Sequence, residues 1–73
     1  MPKLPRISGA EAIRAFERLG FAQVRQSGSH VVMRRGGAGC VIPLHRELKT
    51  GTLAGALRQA EVSSDEFIAA LHG

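Results

Sequence analysis

A change of hydrophobic period at Gly20 limits what this chain can fold into more than any other feature. Before it, Ala12, Ile13, Phe16 and Leu19 fall on one helical face, while Glu11, Arg14, Glu17 and Arg18 point elsewhere. That spacing is the mark of an amphipathic helix laid on a core. Ser8-Gly9-Ala10-Glu11 has the Ser-x-x-Glu form of a capping box and sets the helix start near Ser8, and Gly20 suits the C-terminal cap. From Phe21 the period is two. Ala22, Val24 and Gln26 alternate with Gln23 and Arg25, so a half-buried strand with Arg25 on its open face is expected. Ser27-Gly28-Ser29 then reads as a tight turn, because Gly28 accepts a positive φ without a Cβ penalty and Ser29 can bond its own backbone. His30 is the first side chain after the turn. In the strand that follows, Val31 and Met33 share one face, and His30, Val32 and Arg34 share the other. Gly36-Gly37-Ala38-Gly39 is a second turn, and Cys40 to Leu44 a third strand that Pro43 closes or confines to an edge.

The helical period returns with Leu53, Ala56, Leu57 and Ala60, for which Thr50 or Thr52 is the expected N-terminal cap. Ser63-Ser64-Asp65-Glu66 is another capping box, ahead of Phe67, Ile68 and Leu71 at core spacing and a short helix ending at Gly73. One helix, three antiparallel strands and one or two further helices imply an α+β fold of two layers, with the helices on one face of a small sheet. The opposite face is left to solvent or a partner, and Arg25, His30 and Arg34 are its candidate occupants. The 73 residues are read as a single domain spanning 1–73, with no room for a separate substrate domain.

Composition narrows the function classes. Three Phe with no Trp or Tyr make the core aliphatic and argue against a base-stacking platform, which holds bases on aromatic rings. Ten Lys and Arg against six Asp and Glu give a net charge of +4, which favours a polyanionic partner. The single cysteine, Cys40, cannot form an internal disulfide or a Cys-rich zinc site and is expected to fill core space. The spacing of His30, Cys40 and His45 matches no familiar zinc pattern, so no metal is expected. No apolar run reaches the length of a signal peptide or a membrane span, which makes the cytoplasm the expected compartment.

Two constellations can carry chemistry. His30, at a strand end, holds an imidazole where it can meet solvent on a fixed backbone, and imidazole is the side chain suited to moving protons near neutral pH. His45, Arg46, Lys49 and the Thr50-Gly51-Thr52 run lie at a helix start, where free N–H groups and the positive end of the helix dipole suit a phosphate. A histidine beside a turn is also an ordinary surface residue, and Thr-Gly-Thr is also ordinary capping chemistry. One histidine with several cations is enough to cleave RNA, because the nucleophile is the substrate's own 2′-OH and no cofactor is required.

Leu4-Pro5-Arg6-Ile7-Ser8-Gly9, Leu19-Gly20-Phe21, Gln26-Ser27-Gly28-Ser29-His30, Pro43-Leu44-His45 and Glu47-Leu48-Lys49-Thr50-Gly51-Thr52-Leu53 occur in the order found in the HicA toxin family, which the chain resembles over nearly its whole length. The resemblance implies a double-stranded-RNA-binding-domain-like fold, ribosome-independent mRNA cleavage and inhibition by a HicB-type antitoxin; the chemistry above makes that cleavage metal-independent, and a monomer is the favoured state of the free toxin. It places His30 at the family's catalytic histidine and Gly28 and Ser29 in the turn that presents it. His45 and Lys49 match recurrent positions of the family, RNA-contacting or structural, and with Arg34 and Thr52, chosen for their own placement, they are the candidates for RNA or phosphate contact. The chain departs from the family pattern at Ala54-Gly55, where a basic residue often stands beside a small one. It departs again at Glu61, where a glycine commonly ends the helix, and a less sharply defined helix end is expected there. A non-catalytic RNA-binding module of the same fold, or a subunit that only receives an antitoxin, remains an alternative.

Overall fold

In the computed structural model, which describes residues 3–73, α1 spans Gly9–Arg18 and begins at the expected capping box. The Ser8 hydroxyl oxygen accepts from the Glu11 N–H at 3.1 Å, and the Glu11 carboxylate accepts from the Ser8 N–H at 3.0 Å. The same backbone and hydroxyl donors of Ser8 hold the Glu11 carboxyl below its ordinary value. At the other end Gly20 takes a φ of 94° and the Phe21 N–H donates to the Phe16 carbonyl at 3.0 Å, which turns the chain into the sheet. Arg35 fastens this corner. Its guanidinium donates to the Leu19 carbonyl at 2.7 Å and lies 4.6 Å from the centroid of the Phe21 ring.

Three strands, β1 (Ala22–Ser27), β2 (His30–Arg35) and β3 (Ala38–Pro43), form an antiparallel sheet in the order β1-β2-β3. Val31 pairs with Ile42 and Met33 with Cys40, so four apolar side chains face the helices. All four are buried, together with Phe16 of α1, Leu53 and Leu57 of α2 (Thr50–Ala60), and Phe67 of α3 (Ser64–His72). The Phe16 ring joins this core to the other two phenylalanines, with centroids 5.1 Å from Phe21 and 5.3 Å from Phe67. The Ser63 and Glu66 capping box starts α3 as expected, and Arg18 of α1 donates to the Ala70 and Leu71 carbonyls at its end, at 2.9 and 3.2 Å. Helix, three-stranded sheet and two helices on one sheet face make an α+β fold arranged like a double-stranded-RNA-binding domain.

Four local expectations change. Strand β1 is exposed along its whole length rather than half-buried, because the register shifts between Gln23 and Arg25. Val24 is the extra residue, and the bulge turns Gln23 toward the helix layer alongside Gln26 and leaves Val24 54% exposed. The second turn is shorter than four residues, since Ala38 and Gly39 already belong to β3. Neither Thr50 nor Thr52 caps α2. Lys49 occupies the N-cap position without a side-chain bond, and the Thr-Gly-Thr run forms the first turn of the helix itself. The end of α2 is sharp despite lacking glycine, because Glu61 adopts the left-handed conformation at φ 59°, and the Val62 N–H reaches the Leu57 carbonyl at 3.0 Å. A side chain in that conformation costs about 1 kcal/mol, and a carboxylate at a helix C-terminus adds to the cost. Glu61→Gly is therefore expected to raise the melting temperature by roughly 4–8 °C, measured by circular dichroism.

Cys40 fills the core between sheet and helices, as expected, and burial pushes its thiol up to about 11. The folded protein keeps the proton that an unfolded chain would lose at lower pH. The Cys40 contribution to stability is thus expected to be constant below about pH 9 and to fall as pH rises from there toward 11, because the unfolded state binds fewer protons over that window. Denaturant melts at pH 8 and pH 10.5 should show the fall, and Cys40→Ala should flatten it.

Candidate functional site

The turn that delivers His30 is held at several points. Gly28 has a φ of 58°, and the Gln26 side-chain amide donates to the Gly28 carbonyl at 3.1 Å. The Ser29 carbonyl accepts from the Leu44 N–H at 2.6 Å, and His30 itself pairs with Ser27 on one side and Pro43 on the other. Its backbone is thus fixed from both neighbouring strands while its side chain is exposed. His30, Val32 and Arg34 stand on the open face as expected. Arg25 and Val41 flank Val32 from the two adjacent strands, and Ala22 and Gly39 flank Arg34. No Asp or Glu occurs between Glu17 and Glu47, so the sheet carries cations and no carboxylate.

The other candidates divide by position. The Gly9 N–H donates to the His45 carbonyl at 2.9 Å and the Leu48 N–H to the Ile7 carbonyl at 2.7 Å. These bonds hold the 44–49 loop against the start of α1, at the end of the sheet where His30 lies. His45 and His30 each directly follow one partner of the Leu44–Ser29 bond. Lys49, exposed, precedes a helix whose first turn contains no acid, and the first intrahelical bond is made by Leu53 to the Lys49 carbonyl at 3.0 Å. The N–H groups of Thr50, Gly51 and Thr52 therefore have no helical acceptor and point out of the helix end. Arg34 lies apart from this group. It is four residues beyond His30 on one strand, about 13 Å away, too far for upright side chains to share one phosphate.

Several contributors were not visible in the sequence. The Gln26 brace depends on side-chain direction, and the burden carried by Arg35 depends on where the α1 terminus arrives. Gln59 of α2 approaches the β3 side of the open face and shares a cavity with Arg34. Among the described residues no three His, Cys, Asp or Glu side chains converge on one point, and no helix is long and apolar enough to cross a membrane.

Compared with models of protein families, residues 9–62 match the HicA toxin of bacterial toxin–antitoxin systems. The chain belongs to the HicA toxin family. The HicA match runs from the first residue of α1 to Val62 just past α2, and so takes in the sheet, His30, His45, Lys49 and Thr52. Helix α3 lies beyond the matched span. A HicA toxin works as one member of a toxin–antitoxin pair, so a cognate antitoxin is its partner. No curated protein matches the chain.

Proposed function

We propose that this HicA-family toxin is an endoribonuclease that cleaves mRNA, acting in the cytoplasm and neutralised by a HicB-type antitoxin. The observation that carries the reading is the state of His30. Its backbone is paired with both neighbouring strands, yet the imidazole stands exposed on a face that holds cations and no carboxylate. The reaction is attack of a ribose 2′-OH on the adjacent phosphate, in which the 2′-O–P bond forms and the P–O5′ bond breaks. His30 either accepts the 2′-OH proton or gives one to the departing 5′-oxygen.

Charge builds on the phosphate oxygens during this step, and fixed donors aimed at them lower the barrier. Lys49 and the free N–H groups at the start of α2 occupy the same end of the molecule as His30 and are assigned that role, with Thr52 in the same turn. His45, which follows the Leu44 that bonds to the Ser29 carbonyl next to His30, is the candidate for the complementary proton carrier. Gly28 and Ser29 shape the turn, and Arg34 meets a different phosphate of the strand. The chemistry uses the substrate's own nucleophile and needs no cofactor.

Strand scission tests the reading. Purified protein incubated with a long mRNA in EDTA is expected to produce fragments ending in a cyclic phosphate, and His30→Ala to produce none. Salt-dependent binding without scission would instead identify an RNA-binding module.

A further inference from the structure

The open sheet face ends in a cavity that plays no part in the step above. It has a volume of about 300 Å3 and is lined by Val32, Arg34, Gly39, Val41 and Gln59, among others. That is the lower end of the range for small-molecule pockets, roughly 300–1,000 Å3. Gly39 creates the space. A Cβ at that position would stand 3.0 Å from Arg34 Cγ and 2.8 Å from the Met33 carbonyl oxygen, so glycine lets the Arg34 stem lie beside β3. Val41 is 44% exposed next to half-buried Val32, and the two give the cavity an aliphatic side.

Its polar groups are a cation and an amide. Arg18 and Arg35 are committed to backbone carbonyls at helix ends, whereas Arg34 has no such bond among the described residues. Gln59 is exposed and brings a donor and an acceptor from α2. Arg34, the cation of the cavity, lies about 13 Å from His30, two side-chain repeats along β2, and Val32, one repeat away, has Arg25 beside it. The backbone of an extended single strand advances by about one such repeat per nucleotide, which puts a phosphate on Arg34 about two nucleotides from the bond at His30.

We propose that this cavity is a nucleotide subsite, two steps along single-stranded RNA from the bond that His30 attacks. Arg34 holds the phosphate there, Val32 and Val41 support the flat face of the base, and the Gln59 amide reads its edge. The assignment rests on the ribonuclease reading. It adds that recognition is one-sided, because the strand from His30 to Arg34 runs in a single direction from the cleaved bond.

The test uses a short single-stranded RNA of defined sequence, cleaved at one bond, and the same RNA shortened from either end. Wild-type protein is expected to lose about tenfold in kcat/KM when nucleotides are removed from one side and to lose little from the other. Arg34→Ala is expected to raise KM about tenfold on the intact RNA, to lower the salt slope by about one, and to shrink the penalty for shortening. Gln59→Ala is expected to relax base preference at one position, about tenfold, with the same position read by anisotropy on RNA carrying a 2′-deoxy sugar at the cleaved bond. Both side chains are exposed, and circular dichroism verifies the fold. Equal loss on shortening from both ends, or unchanged KM and base preference in both variants, overturns the subsite while leaving the nuclease standing. Variants that cleave normally but escape the antitoxin also overturn it, and assign the cavity to the protein partner. Wild-type protein that cuts none of the RNAs removes the ribonuclease reading and the subsite with it.

Discussion

His30→Ala is expected to reduce the rate of RNA cleavage by about 10²- to 10⁴-fold, the range that positioned proton transfer contributes. The variant is expected to melt within about 0.5 kcal/mol of the wild type, the usual range for surface substitutions. Both halves of this expectation come from one arrangement. The imidazole is exposed and covers no core residue, whereas the backbone of residue 30 is paired to Ser27 and Pro43 whatever side chain it bears. His30→Gln is the stricter comparison, because it keeps a polar side chain of similar reach but cannot cycle a proton. Single-turnover cleavage measured alongside thermal melts separates the two effects. A His30→Ala protein that melts normally and still cuts at the wild-type rate would remove His30 from the mechanism and point to His45.

Gly9→Ala is expected to be the most damaging small substitution in the chain, lowering stability by about 3 kcal/mol through overpacking that has no side-chain rotamer to relieve it. For a domain of this size that is a fall in melting temperature of roughly 12–24 °C. Gly9 is the first residue of α1 and is buried, with its N–H bonded to the His45 carbonyl. A Cβ there would overlap the Pro43 carbonyl oxygen and reach 3.0 Å from Leu44 Cα. Every atom in the way belongs to backbone, so relief requires α1 to back away from the end of β3. That movement would pull on the same segment that pairs with His30. Circular dichroism melts of Gly9→Ala and of Gly51→Ala, at an exposed glycine with no atom within 4 Å of an added Cβ, provide the contrast.

The parts of the fold that could be read from the sequence are those fixed by neighbours a few residues apart. The Ser8–Glu11 and Ser63–Glu66 capping boxes form as expected because a cap and its partner are three residues apart. The alternation in β2 places Val31 and Met33 inside and His30 and Arg34 outside, since nothing interrupts the period between them. Strand β1 defeated the same reasoning. Its bulge at Val24 has no local signature, and the extra residue puts Ala22 and Gln23 on the faces opposite those that strict alternation gives them, while Arg25 and Gln26 keep theirs. The threonines ahead of Leu53 resembled caps, but the helix starts one residue earlier than a threonine cap allows. At the candidate site, the place of His30 in the sheet followed from the turn before it. The division of labour among the arginines did not, because the commitment of Arg35 to Leu19 and Phe21 and the approach of Gln59 to Arg34 are meetings between distant segments.

The separation of charge between the two layers has a kinetic consequence. All six carboxylates lie outside the span that forms the sheet, on the helices and their connections, while that span carries only cations. The molecule therefore has an electric moment across its thickness, and the field of a polyanion turns it sheet-first before any contact is made. A random collision becomes an oriented one. Added salt should then slow association before it speeds dissociation, since it weakens the torque at distances beyond the Debye length while groups in contact remain less screened.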